Sequence, residues 1–376
     1  MSRVYQPSGL RESNPTRAQG LLAGLHLDLP LLTGLILLCG FGLVVLYSAS
    51  DQNMAQMQRQ LVRLGIAFVM MFVMAQVPPG QLWRWSPRLY ILGVLMLFAV
   101  LLVGDVGKGA QRWLDLGLFR FQPSELTKLA VPMMIAWFLA EKALPPEWKR
   151  LAAAGAMILL PVLLIARQPD LGTALLVGFA GIFVLFLAGL SWRFISGMLV
   201  TAIPVGWAMW EWGMRDYQRE RVLTFLAPER DPLGAGYHII QSKIAIGSGG
   251  LYGKGWLNGT QSHLEFLPER TTDFIFAVAA EEFGFIGILL LLSIYLFIIL
   301  RGLFIATQAQ DTYSRLLGGS LTLVFFVYLF VNTGMVSGIL PVVGAVSYTH
   351  LRAHETQPVI SYAVFCLKRG GGGGGG

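Results

Sequence analysis

Ionisable side chains border apolar runs at three places in this sequence, and each spacing points to a chemistry. In "LPERTTDFIFAVAAEEFG", residues 267–284, a charged stretch passes without a break into an apolar one. Asp273 stands at the join, with Glu281 and Glu282 further along. A carboxylate at the edge of a hydrocarbon environment is costly, and marks a functional site by default. On a helix turning ~100° per residue, Ala277, Ala280 and Gly284 share the Asp273 face. That strip of small residues borders either a cavity or a packed neighbour. Glu281 is offset by roughly a quarter turn and Glu282 points nearly opposite, so the three carboxylates cannot serve one site. Capping is the structural alternative for Asp273, because "TTDF" places an acid at a helix start, where it is stabilised. Glu281 and Glu282 read as partners of a neighbouring helix.

The second place is "FQPSELTKLAVP", residues 121–132. Pro123 and Ser124 start a helix, with Glu125 in the first turn, where an acid is favoured. Lys128 lies three residues on, on the Glu125 face, so the two can pair inside a membrane. An ion pair with no further use explains the spacing, and so does an anionic ligand. The third is "ARQPDLGTALL", residues 166–176, where Arg167, Gln168 and Asp170 sit on a short turn. Pro169 and Gly172 fix that turn, which leaves a structural role open. The loop "GDVGKGAQRWLDLG" adds Lys108, Arg112 and Asp115. "YHIIQSKIAIGSGGLYGKGW", residues 237–256, joins an amphipathic stretch bearing Lys243 to a glycine-rich run. Its glycines fit neither GxxxxGK[ST] nor a strand–GxGxxG–helix context, which argues against a nucleotide site.

The elements that hold these residues are apolar helices. The chain has 376 residues, 55% hydrophobic and 13% charged, against roughly 25% charged in a soluble domain. Its mean hydropathy is +0.62. Runs long enough to approach a bilayer crossing of about 20 residues recur at 29–48, 61–77, 89–103, 126–140, 151–166, 171–190, 194–210, 274–300 and 316–331. They predict an all-α, polytopic helical membrane protein with about nine spans. Residues 1–24 are polar and basic, and read as a disordered cytoplasmic N-terminus. Alternate loops then carry Arg84 and Arg88, Lys142, Lys149 and Arg150, Arg193, and Arg301 and Arg315, as the positive-inside rule requires. All three clusters fall on the opposite, outer side, together with a large extracytoplasmic loop at 211–272 between spans 7 and 8.

Cations that grip phosphate oxygens beside a proton-accepting carboxylate suit transfer chemistry on an anionic lipid. They suit its transport equally well, and the residues alone leave the two even. His26, His238 and His263 show no metal-site spacing, and Cys39 and Cys366 are the only cysteines. A Mg²⁺ or Mn²⁺ ion held by one or two carboxylates and a substrate pyrophosphate is compatible with the sequence. No organic cofactor is expected.

"RWLDLGLFRFQPSELTKLAVP", "QPDLGTALL", "GAGYHIIQSKIAIGSGGLYGKGW" and "HLEFLPERTTDFIFAVAAEEFGFIG" resemble the SEDS family of cell-wall polymerases, its elongation branch RodA more than its division branch FtsW. The resemblance runs from the first span to "NTGMVSGILPVVG", residues 332–344. It implies a ten-span peptidoglycan glycosyltransferase that uses lipid II at the outer face of the bacterial cytoplasmic membrane. It also implies release of undecaprenyl diphosphate, a role in elongation and rod shape, a class B penicillin-binding protein as partner, and elongation-complex membrane proteins around it. By motif, Asp273 corresponds to the family's essential aspartate, Glu125 and Lys128 to its buried pair, and Asp170 to a further polar position. Arg112 and Lys243 are the proposed pyrophosphate contacts. A lipid II flippase and a non-catalytic scaffold are the competing functions.

The segment 346–376 departs from the family. Residues 346–356 and 360–367 resemble translated sequencing adapter, and a glycine run ends the chain. The membrane domain is therefore expected to occupy 25–345, with a non-native tail after it and the tenth span missing.

Overall fold

The computed structural model describes residues 27–107, 110–115, 120–168, 170–214, 219, 223, 235–260 and 271–340. Residues 1–24, much of 211–272 and the segment 346–376, assigned above to a disordered N-terminus, a large loop and a foreign tail, lie wholly or partly outside them.

Among the described residues ten α-helices follow one another: α1 (Leu29–Ala49), α2 (Met54–Gln76), α3 (Pro79–Val103), α4 (Pro123–Ala140), α5 (Trp148–Arg167), α6 (Leu171–Leu187), α7 (Trp192–Ala208), α8 (Ala235–Gly249), α9 (Ile275–Thr307) and α10 (Thr312–Val336). Each of the nine expected apolar runs falls on its own helix, and α8 takes the amphipathic stretch. By length and composition α1, α2, α3, α5, α9 and α10 can cross a membrane, and α6 is a shorter apolar helix. The chain is a multi-pass helical membrane protein. Its lipid-facing surface is apolar, as at Leu95, Leu102 and Leu290, because hydrocarbon replaces water as the solvent.

Polar caps set where helices begin. Asp28 accepts from Leu31 N at 3.0 Å ahead of α1, Asn53 from Ala55 N ahead of α2, and Asp311 from Ser314 N at 2.9 Å ahead of α10. These bonds satisfy donors that a helix start leaves open. One departure from the all-helical expectation lies between α3 and α4. Residues 105–121 carry a small antiparallel sheet of β1 (Asp105–Gly107), β2 (Ala110–Asp115) and β3 (Arg120–Phe121). This glycine-rich segment is too short in apolar residues to extend a span, and pairs its backbone locally instead.

Three apolar clusters hold the bundle, and α10 contributes to all of them. One joins α3, α4, α5, α6 and α10 through residues such as Leu97, Ile135, Ile165, Val177 and Leu317. Another joins α1, α2, α9 and α10 through Leu35, Met71, Ile298 and Phe325. The third packs Val45 of α1, Ala245 of α8, Ala277 and Val278 of α9, and Val336 of α10 around Phe274.

At 33 residues α9 would run about 50 Å as one rod, well beyond a hydrocarbon core of about 30 Å. It is broken instead at Gly284, whose φ of 64° and ψ of −164° are non-helical. The longer segment, 285–307, can span by itself. The shorter, 275–283, remains at the end of the bundle where α10 finishes.

Candidate active site

Two polar centres lie near this end of the bundle, and α10 touches both. In the first, Lys128 Nζ donates to Glu125 Oε1 at 2.8 Å, one turn apart on α4. Lys128 is 4% exposed, while the Glu125 side chain is 15% exposed, so the cation is the deeper member. The Tyr328 ring of α10 lies 5.6 Å from the ammonium, a cation–π distance. Gln122, just before α4, donates through Nε2 to Asp170 Oδ2 at 3.4 Å. Asp170 also caps α6, accepting from Thr173 N at 3.3 Å, and Gln168 Nε2 donates to Leu97 O at 3.0 Å. The expected structural role of the "QPD" turn and its place beside "QPSELTK" are therefore compatible. Among the described residues no partner lies within hydrogen-bond distance of the buried Ser124 hydroxyl, next to Glu125.

The second centre lies on α9, which follows the turn bearing Asp273. The helix cap falls on Phe274, whose side chain makes no capping bond, and α9 starts at Ile275. Asp273 thus precedes the helix in a turn, and the ideal-helix projection that put it on one face with Gly284 does not hold. The small strip itself is packed: Ala277 and Ala280 are buried, and a Cβ on Gly249 would collide with Ala280 O. The alternative of a packed neighbour is the one realised. That neighbour is α8 and the glycine-rich run after it.

The other carboxylates of α9 turn different ways, as their spacing requires. Glu281 pairs with Lys254 Nζ at 2.7 Å, and Thr260 Oγ1 donates to the same carboxylate oxygen at 3.1 Å. Glu282 accepts from the Ser48 hydroxyl of α1. Glu282 thus meets a neighbouring spanning helix, α1. Glu281 is met by a loop, because the break at Gly284 opens the helix where that loop enters.

The remaining candidates divide. Lys243 lies on α8, exposed, with its side chain running over Gly338 in the turn after α10. Its neighbour Ser242 donates to Val336 O at 2.8 Å, fastening α8 to that turn. Arg112 stands on β2, and its side chain lies outside the described residues. Lys254, Thr260, Ser48, Gln122 and Tyr328 belong to the two centres without having been singled out by spacing. The signal for Lys254 was its place between Gly253 and Gly255, where small residues allow close backbone approach.

Residues 29–348 match the FtsW/RodA/SpoVE family, described as a cell cycle protein. Peptidoglycan glycosyltransferase MrdB of Escherichia coli (strain K12) is 56% identical over 319 residues, covering 85% of this chain and 86% of the relative. A probable peptidoglycan glycosyltransferase FtsW of Trichlorobacter lovleyi is 37% identical over 333 residues, covering 84% and 86%. Among solved structures, a chain from work on structural coordination of polymerization and crosslinking by a peptidoglycan synthase complex aligns with a TM-score of 0.75 and 30% identity. It covers 91% of this chain and 98% of its own. The Thermus thermophilus rod shape determining protein RodA aligns with a TM-score of 0.63 and 26% identity, covering 91% and 94%. A match across more than two thirds of the chain, on a shared helical fold, settles the family: this chain belongs to the FtsW/RodA/SpoVE cell cycle proteins.

Proposed function

We propose that this protein is a peptidoglycan glycosyltransferase that polymerises glycan strands from lipid II, releasing undecaprenyl diphosphate, in the elongation of rod-shaped cells. The observation that carries the reading is the 56% identity over 319 residues to a relative named as a peptidoglycan glycosyltransferase. The geometry supports it with a buried cation and a carboxylate-bearing turn near one end of the bundle. In the reaction, an acceptor sugar hydroxyl attacks the anomeric carbon of a donor. The new C–O bond forms as the bond to the diphosphate breaks. Asp273 takes the proton from the attacking hydroxyl. Lys128 stabilises negative charge building on the leaving diphosphate, with Arg112 and Lys243 as further contacts. Glu125 holds Lys128 in place, and Asp170 orders the adjoining turn.

A Mg²⁺ or Mn²⁺ ion carried by the diphosphate would add positive charge at the leaving group. Among the described residues no group of three or more His, Cys, Asp and Glu side chains converges, so the protein's share would be one or two carboxylates. In this reading the N-terminus is cytoplasmic and the site faces outward from the bacterial cytoplasmic membrane, an orientation that the basic alternate loops support. A class B penicillin-binding protein would crosslink the product, within an elongation complex of membrane proteins.

The test is to give purified protein lipid II and follow glycan strands. Wild type makes them, and Asp273→Asn lowers the rate by roughly 10²–10⁴-fold while remaining folded. Equal rates would sink the reading. Movement of labelled lipid II across vesicles with no polymer formed would favour the flippase instead.

A further inference from the structure

The glycine-rich run after α8 closes the break in α9. A broken helix leaves carbonyls before the break and amides after it without partners. Here the loop meets both sets. Lys254 N and Gly255 N donate to Glu281 O and Glu282 O, each at 3.0 Å, while Phe285 N and Ile286 N donate to Gly250 O and Leu251 O at 2.9 and 3.2 Å. The approach is so close that only glycine fits. A Cβ on Gly253 would collide with Glu282 O, and one on Gly284 with Gly253 N.

Side chains lock this backbone clasp. Lys254 Nζ donates to Glu281 Oε1 at 2.7 Å and to Thr260 Oγ1 at 2.6 Å. Glu281 is 0% exposed, so its attraction to Lys254 is little screened by water. Trp256 Nε1 donates to Val44 O at 3.2 Å, and its ring centroid lies 5.9 Å from that of Tyr47, tying the same loop to α1. The short half-helix 275–283 follows directly on Asp273. Because the hydrogen-bond ladder stops at Gly284, the long half of α9 does not dictate how this short half is aimed. The clasp does.

We infer that Lys254 and Glu281 form a positioning pair, which fixes the half-helix following Asp273 and so sets where that carboxylate meets the acceptor hydroxyl. Neither residue touches the substrate in this role. The inference rests on the proposed function of Asp273. A displacement of the order of 1 Å at a reacting group lowers turnover by up to about a hundredfold, without a matching change in ground-state binding.

The test uses the full chain with lipid II over a range of concentrations, in parallel with thermal unfolding. Lys254→Met is expected to lower kcat by roughly ten- to a hundredfold, with KM within about twofold of wild type. Lys254→Arg, which keeps the charge, should recover most of that loss. The Lys254→Met/Glu281→Gln double variant carries no lone buried charge, so it folds, and its kcat should remain low. Wild-type kcat in the double variant would overturn the inference, and so would a kcat loss matched by loss of folded protein. An inactive Asp273→Asn alongside either outcome leaves the polymerase reading standing. A fully active Asp273→Asn removes that reading, and the positioning role with it.

Discussion

Glu125–Lys128 and Lys254–Glu281 are both close ion pairs of 2.8 and 2.7 Å in a membrane protein, but they are built in opposite ways. The first spans one helical turn, and its deeper member is the cation. The second joins residues 27 apart across a helix break, and its deeper member is the carboxylate. A pair within one turn costs little chain entropy, because the helix that apolar packing already requires sets its geometry. A pair between a loop and a helix must be held by everything around it. Here that means four backbone bonds, Trp256 on α1 and the glycines at the crossing. The first pair is an internal property of α4, and the second is a joint between elements.

That contrast can be broken by experiment. The largest effect on stability is expected for Glu125→Gln, which leaves Lys128 buried without its carboxylate and costs about 3–5 kcal/mol. Unfolding in detergent would measure it. Replacing both residues by methionine should recover most of that loss, because no charge is then left in a dry environment. If the single and double variants unfold alike, the pair is more solvated than its 4% exposed lysine indicates.

Gly284→Ala is the matching perturbation of the second region. It forces a side chain onto φ 64° and should cost about 1–3 kcal/mol. Hydrogen exchange should speed at residues 250–255 and 281–286 while α4 stays protected. Equal loss of protection in α4 would show that the two regions unfold as one. The smallest effect is expected at Arg150–Glu141, where the carboxylate residue is 40% exposed at the opposite end of α4. Glu141→Gln should change stability by less than about 1 kcal/mol.

Much of this was legible in the sequence because membrane spans and single helical turns are local. The nine apolar runs announce nine helices, since a hydrocarbon solvent demands continuous apolar surface and backbone bonds satisfied within the segment. Glu125 and Lys128 announce their own pairing for the same reason. The different directions of Glu281 and Glu282 follow from 100° per residue.

The three-stranded insert between α3 and α4, the break at Gly284 and the seating of Asp273 before rather than within α9 could not be read this way. A glycine in an apolar run is equally at home in a straight helix. Only the approach of residues 249–255 decides that Gly284 takes a left-handed conformation. Lys254 likewise becomes a partner of Glu281 only because that approach brings it there. The sequence by itself determined the class of protein, its helices and the Glu125–Lys128 pair, all consequences of periodicity and solvent. The tertiary structure alone decided how the short half of α9 is held after Asp273, because that depends on contacts between segments whose separation along the chain carries no periodic signal.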